Sequence, residues 1–551
     1  MSIIPLQWKK KITSSTSENN YAQAAVPGGE DAALSNTHRL SILYLTLPFL
    51  LFLFGWVRLA IAIPLALIIL FTLYKLLFTN LPISRSSNSQ FPISQSTIFS
   101  LLLTTFWLLL SGLGGYAFQN WDHNWRNVVL RDLMNFDWPV TYAQPASGPV
   151  KMLVYYVGFW LPSALIAKVT NWQIANFALF IWSLAGLLLV THQLASALKT
   201  STLKATALLI LFSGLDAFGV LLFPNDYPTL LPPITHLETW AGNLQYSSFT
   251  TQLFWVFNQA IPAWLVISVI ARRANFPTKQ SRNNHEIASG EEQERPRNDE
   301  LIFLWSLCFF FAPLASLGLL PYVLIELIKG ADFKSPLKNL NPTIILSAII
   351  IFLLSTFYFL SNTAAQSRGF QSLPLDKFLA FFLLEGGLLW LVLAPSKYKD
   401  PRWVVTGILL AIIPFIQLGS DRDFVMRASI APLFYLMLLT GETIFNQSTS
   451  RTLRITLYVI LILGAFTPLY EINRSLYRTY DYYFIQVDDC GCDFSSDPIT
   501  RLAPPTAPEL EHPGILTADA LPTLKFMTDE LSQNFIANVR QTFFYKYLVR
   551  R

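Results

Sequence analysis

Charged side chains are what this sequence has least of. Asp, Glu, Lys and Arg make up 13% of 551 residues, against 53% hydrophobic residues, and mean hydropathy is +0.42. That balance excludes a water-soluble globular protein of this length. Cysteine is almost absent as well, with three in the chain, so no disulfide framework holds the fold. Cys308 lies in an apolar run, and the Cys490–Gly491–Cys492 pair in the tail reads as two free thiols, with a strained local disulfide or a metal-ligand pair as the alternatives. A Walker-type loop, a nucleotide-binding fold, zinc-ligand spacing and a nameable internal repeat are all lacking, which disfavours an energy-coupled pump. The formal charge of +5 is modest and its Lys and Arg sit in a few loops. It therefore informs topology and argues against nucleic acid. Lys9, Lys10 and Lys11 stand far from the first apolar run across a polar stretch, so the chain reads as lacking a cleaved signal peptide.

What is abundant is apolar length. Runs of about 17 to 25 residues recur, the spanning length of helices rather than of barrel strands. The expected fold class is an all-α polytopic membrane protein, a bundle of about 11 to 13 spans. Residues 1–38 read as a disordered cytoplasmic tail, 39–471 as the transmembrane domain and 472–551 as an external tail ending in an amphipathic helix with Phe526, Leu531, Phe535, Val539 and Phe543 on one face. Two segments decide the topology. If 150–169 crossed the membrane, the basic loop at 272–298 would fall outside, against the positive-inside rule. Lying on the outer surface, with Pro162 interrupting it, the segment keeps both following basic loops cytoplasmic. Residues 301–328, with Pro313 near the middle, read as a re-entrant hairpin or a pair of short helices for the same reason. The N-terminus is then cytoplasmic and the protein resides in a plasma (inner) membrane.

This parity gathers the polar loops 118–172, 224–250, 362–375 and 419–427 on one external face. Residues 118–149 concentrate charge directly after an apolar run, and a carboxylate there, Asp122 or Asp132, suits a reaction whose donor sits in the bilayer and whose acceptor comes from water, with Glu238 a further candidate acid in the next loop. His123, Arg126, Arg131, Trp138, His236 and Tyr246 are candidate substrate-binding residues. Arg368, Arg422 and Arg427 are candidates for gripping a phosphate through their planar guanidinium. Asp421 and Asp423 form a weak acidic pair for a divalent cation. The spans read as nearly free of charge apart from Glu326 and Glu385, which gives little support to a translocation path.

An acidic loop closing on WPVTY, followed by GPVKMLVYYVGFWLPSALIAK and then a true span, resembles the GT-C superfamily of integral-membrane glycosyltransferases. QYSSFTTQLFWVFNQAIPAWL at 245–265, LWSLCFFFAPLASLGLLPYVL at 304–324 and DFVMRASIAPLFYL at 423–436 look like a bacterial GT-C-like group. The likeness spans roughly residues 97–445. It implies outer-face juxtamembrane helices in the first loop, a polyprenyl-phosphate-linked sugar donor, a glycan, lipid or protein acceptor, and inversion by direct displacement. The superfamily's first-loop carboxylate falls on Asp122. The chain departs from the pattern in its N-terminal hairpin and in WDHNW, where an acidic pair usually stands, which weakens a two-carboxylate metal site in that loop. A lipid-linked oligosaccharide flippase, a ligase or polymerase centred on arginines in a large late loop, and a catalytically silent GT-C-like scaffold are the competing readings.

Overall fold

The computed structural model describes residues 28–78, 95–120, 122–142, 150–223, 231–233, 235–274, 298–329, 340–362, 368–419, 422–480 and 534–550. It is mostly helical: α1 Gly28–Trp56, α2 Leu59–Phe78, α3 Gln95–Leu110, α4 Asp122–Asn135, α5 Leu161–Ala167, α6 Trp172–Leu198, α7 Thr202–Leu211, α8 Asp216–Leu222, α9 Phe249–Ala274 and α10 Asn298–Phe311. There follow α11 Pro313–Lys329, α12 Pro342–Phe359, α13 Leu375–Phe382, α14 Leu388–Lys397, α15 Pro401–Ile412, α16 Asp423–Ala428, α17 Ile430–Phe445, α18 Arg451–Gly464 and α19 Phe466–Tyr480. Among the described residues nine helical stretches are long and apolar enough to cross a membrane. The protein is a multi-pass helical membrane protein.

Burial explains the layering. An 18-residue window within Asp423–Phe445 is wholly buried and one within Phe249–Arg272 is 94% buried, so α17 and α9 form the centre of the bundle. A helix apolar on every side belongs there. Helices such as α2 and α12 turn Leu67, Phe71, Leu346 and Ile349 outward, the surface that lipid covers. Helix starts are capped by side chains that accept from the first free N–H groups: Asn171 from Ile174, Ser201 from Lys204, Asn341 from Thr343, Asp400 from Arg402 and Ser450 from Leu453. Each cap satisfies a donor that the helix itself leaves free.

The two segments that decide the topology have distinct shapes. Residues 150–169 form a short strand, a 3-10 turn and α5; the apolar helical part is Val157–Ala167. At 1.5 Å per residue it covers about 16 Å, half of a bilayer's hydrocarbon core. Residues 298–329 bend sharply after Phe311, and Trp305 Nε1 donates to the Ser316 carbonyl at 3.0 Å. In one straight helix those positions would stand about 16 Å apart. The α10 start meets α1 through His38–Glu300 and the α12 cap through Asp299–Asn341. Lys329, which closes α11, lies within electrostatic reach of Asp400 at the start of α15. The pair therefore leaves from and returns to one face.

On the other face, two small sheets gather the loops. Strands β1 Thr141–Tyr142, β2 Lys151–Leu153 and β5 Ile536–Asn538 run antiparallel in the order β1-β2-β5, with Met152 opposite Ala537; β3 Arg368–Phe370 pairs with β4 Ile416–Leu418. The C-terminal segment thus corrects the helix expected there. Residues 534–550 form a strand and a π turn, Phe544–Leu548, and Phe544 buries beside Phe52 and Tyr358. Phe526, Leu531 and the Cys490/Cys492 pair lie outside the described residues.

Candidate functional site

The site is built outward from a break in α9. Val256 leaves helical geometry, at φ −134° and ψ 35°, and the Phe254 carbonyl accepts from Asn120 Nδ2 at 2.9 Å and His123 Nε2 at 3.2 Å. Asn120 Oδ1 in turn accepts from the Asp122 backbone N–H at 3.2 Å. Asp122 therefore begins α4 in a position set by α9. Its Oδ2 accepts from Arg126 Nη2 at 2.6 Å, and the Asp122 side chain retains 26% exposure while that of Arg126 retains 4%. Arg126 also lies over the Phe257 ring, 5.5 Å from its centroid.

A second pair repeats the spacing. Asp423 opens α16 and pairs with Arg427, again four residues on. Both pairs act on one side chain, Tyr155, whose buried hydroxyl is held above its ordinary pKa by burial and feels Arg126, Arg427, Asp122 and Asp423 together. Tyr156 beside it is pushed up to about 12, by burial first. Tyr155 packs on Tyr156 and on Phe535 from the C-terminal segment, with ring centroids 4.8 and 4.4 Å away. Among the described residues, Nε and Nη1 of Arg126 and Nε of Arg427 are buried without a hydrogen-bond partner. Buried guanidinium N–H groups left unpaired are costly, and an anion between these helices would satisfy them. Asn258 and Gln259, next along α9 from Phe257, are fully buried with both amides unpaired.

Several expected site residues hold the fold instead. The His123 ring lies between the Ser111 and Phe254 carbonyls and stacks on Phe257. Arg131 and Asp132 are fully buried together at 2.8 Å, and Tyr142 donates to the other carboxylate oxygen at 2.8 Å. Burial raises the Asp132 pKa while Arg131 opposes it; no face of that carboxyl is open to an acceptor. Trp138 donates to the Leu133 carbonyl and packs on Trp56. Tyr246 donates to the Leu410 carbonyl deep in the bundle.

Glu238 belongs to a separate network. It is 1% exposed and accepts from Ser248 N–H, Thr251 Oγ1 and Gln245 Nε2. His236 stands between Glu238 at 3.6 Å and Glu471 at 3.2 Å. Burial lowers the His236 pKa, but Glu471 and Glu238 outweigh it and leave it raised to about 9. Arg422 joins by donating to Gln245 Oε1 and so stands apart from Arg427. The Arg368 side chain and all of Asp421 lie outside the described residues. Asp423 is committed to Arg427, and no group of three His, Cys, Asp or Glu able to hold a metal ion occurs among the described residues.

The spans carry more charge than expected. Asp216, overlooked within an apolar run, is 1% exposed and Glu385 is 2% exposed. Trp240 Nε1 donates to both carboxyls, at 3.2 and 2.9 Å. The pair sits where α7 gives way to α8 and where a π turn, Leu383–Gly387, separates α13 from α14. Tyr155 was equally hidden, inside an apolar segment. The visible signal was a spacing: Asp-x-x-x-Arg occurs at 122–126 and again at 423–427.

No protein-family model, curated protein or solved structure matches this chain.

Proposed function

We propose that the protein is a GT-C-like membrane glycosyltransferase that moves a sugar from a polyprenyl-phosphate donor to an acceptor on the extracytoplasmic face. The observation that carries this reading is the meeting of two Asp–Arg pairs at Tyr155, with three guanidinium N–H positions unsatisfied. Asp122, which α4 holds beside Arg126 with 26% of its side chain exposed, takes the proton of the acceptor hydroxyl as its oxygen bonds to the anomeric carbon. The bond from that carbon to the phosphate oxygen breaks on the opposite side, and its electron pair leaves with the phosphate. Arg126 and Arg427 hold the departing anion as its charge grows. Tyr155, Tyr156 and Phe535 form an apolar aromatic wall that keeps the two arginines out of bulk water, where their pull on the phosphate would be weaker.

The test is transfer of labelled sugar from polyprenyl phosphate in membranes expressing the protein. Arg427→Gln should raise the donor KM, and Asp122→Asn should lower kcat with little change in KM. Transfer unaffected by either substitution contradicts the assignment.

The Asp216–Glu385 pair favours a second reading, transport of a lipid-linked substrate, because carboxyls at breaks in two spanning helices mark the paths of many transporters. Flux across vesicles that is lost in Glu385→Gln, with no sugar transferred by the wild type, would select it.

A further inference from the structure

The face opposite α4 carries a groove that glycosyl transfer does not use. It opens between α1, α3 and α6, encloses about 760 Å3, and is floored by Tyr44 stacked on Trp182 at 4.0 Å. Leu43, Leu47, Leu101 and Leu188 line it. All three helices are apolar, and α1 and α6 are long enough to span, so the groove faces lipid along its length.

One end is different. His192 and Thr202 line the groove there, and His192 Nε2 is buried with no hydrogen-bond partner among the described residues. Basic residues crowd the same end. Arg39 precedes the lining residue Leu40, and its buried Nε is likewise unpartnered. Lys199 caps α6 and is exposed; Lys204 follows Thr202 by two residues and is exposed. Arg272, at the end of α9, lies within electrostatic reach of His192. Glu300, in the first turn of α10, is paired with His38 at 2.6 Å. An apolar channel ending in the unpartnered polar atoms of His192 and Arg39, with the exposed Lys199 and Lys204 beside them, matches a lipid tail joined to an anionic head.

We infer that this groove is a binding site for an anionic phospholipid, with one acyl chain along Leu43, Leu101 and Leu188 and the phosphate at His192 and Arg39. A zwitterionic lipid brings its own cation to the same end and gains less there. The bound lipid ties α1 to α3 and α6, the helices whose far ends set α4 and the first loop, so it also stiffens the bundle.

The experiment uses the full chain, purified in detergent and stripped of lipid, with thermal unfolding followed as phosphatidylglycerol or phosphatidylcholine is added. Phosphatidylglycerol should bind roughly tenfold tighter, the equivalent of one or two basic contacts near a membrane surface. Ala185→Trp, a substitution at an exposed position on the groove wall, should abolish the saturable rise in Tm without lowering the Tm of the lipid-free protein. His192→Leu combined with Arg39→Gln should retain binding but bring the two lipids to equal affinity. Equal affinity in the wild type, or a phosphatidylglycerol response undiminished by Ala185→Trp, overturns the inference.

Discussion

Asp122 and Asp132 are ten residues apart on one helix, yet their surroundings give them opposite work. Asp122 keeps one edge open beside Arg126, whereas Asp132 is closed in by Arg131 and Tyr142. Removing one partner of a buried pair leaves an uncompensated charge, so Asp132→Ala should destabilise the fold by about 3–5 kcal/mol. A urea or thermal denaturation series reads this as lost stability, with any surviving folded protein retaining its donor KM. His236 makes a pH prediction. Its folded pKa of about 9 lies above the ordinary value, about 6.5 for an exposed imidazole, so its contribution is full below that lower value. It is lost as pH rises through the folded value, and is worth about 3 kcal/mol over that window. Unfolding measured from neutral to alkaline pH should show this decline in the wild type and a flatter profile in His236→Gln. The charges of the loops were legible in the sequence because charge is rare there; Tyr155 and Glu471 were not, because they meet Asp122 and His236 from other segments and carry no local signature.

The elements show where local pattern suffices and where it fails. The bend between α10 and α11 follows from Pro313, and the short α5 from a segment too interrupted to span, so both were readable from breakers and charge parity. Strand β5 was not. Its apolar spacing suits a helix, and it is a strand only because Lys151–Leu153 offers an edge to pair with. Close packing adds a second hidden determinant: α11 approaches α16 so tightly at Gly318 that a Cβ would overlap the Ala428 carbonyl oxygen. Gly318→Ala should therefore push apart the helices that place Arg427, costing about 1–3 kcal/mol. A lowered Tm together with a raised donor KM would show that the contact positions the site; a lowered Tm alone would make it packing only.

At the scale of the whole molecule, the helices alternate between two faces and the loops with chemistry collect on one. Charge parity expects that face to be external, and the small sheets join 141–142 and 151–153 to 536–538 and 368–370 to 416–418. Glu385 was legible as a charge within a span, but its pairing with Asp216 was not, since a single Asp hardly alters the hydropathy of an apolar run. Sidedness follows from the same parity: single cysteines at Thr170 and Gln541 should react with a membrane-impermeant thiol reagent from outside intact cells, and cysteines at Lys199 and Ser448 only after permeabilisation. The reverse pattern would move the α4 face to the cytoplasm and remove the proposed acceptor side.

The most direct measurement is sugar transfer by the purified protein in liposomes, with Asp122→Asn and wild type brought to equal amounts of folded protein at matched Tm. The account predicts transfer by the wild type, with the anomeric configuration inverted, and a loss of at least 100-fold in kcat in the variant, within the range a general base supplies. Equal kcat in the two proteins would contradict the role of Asp122 and with it the site assembled around Tyr155.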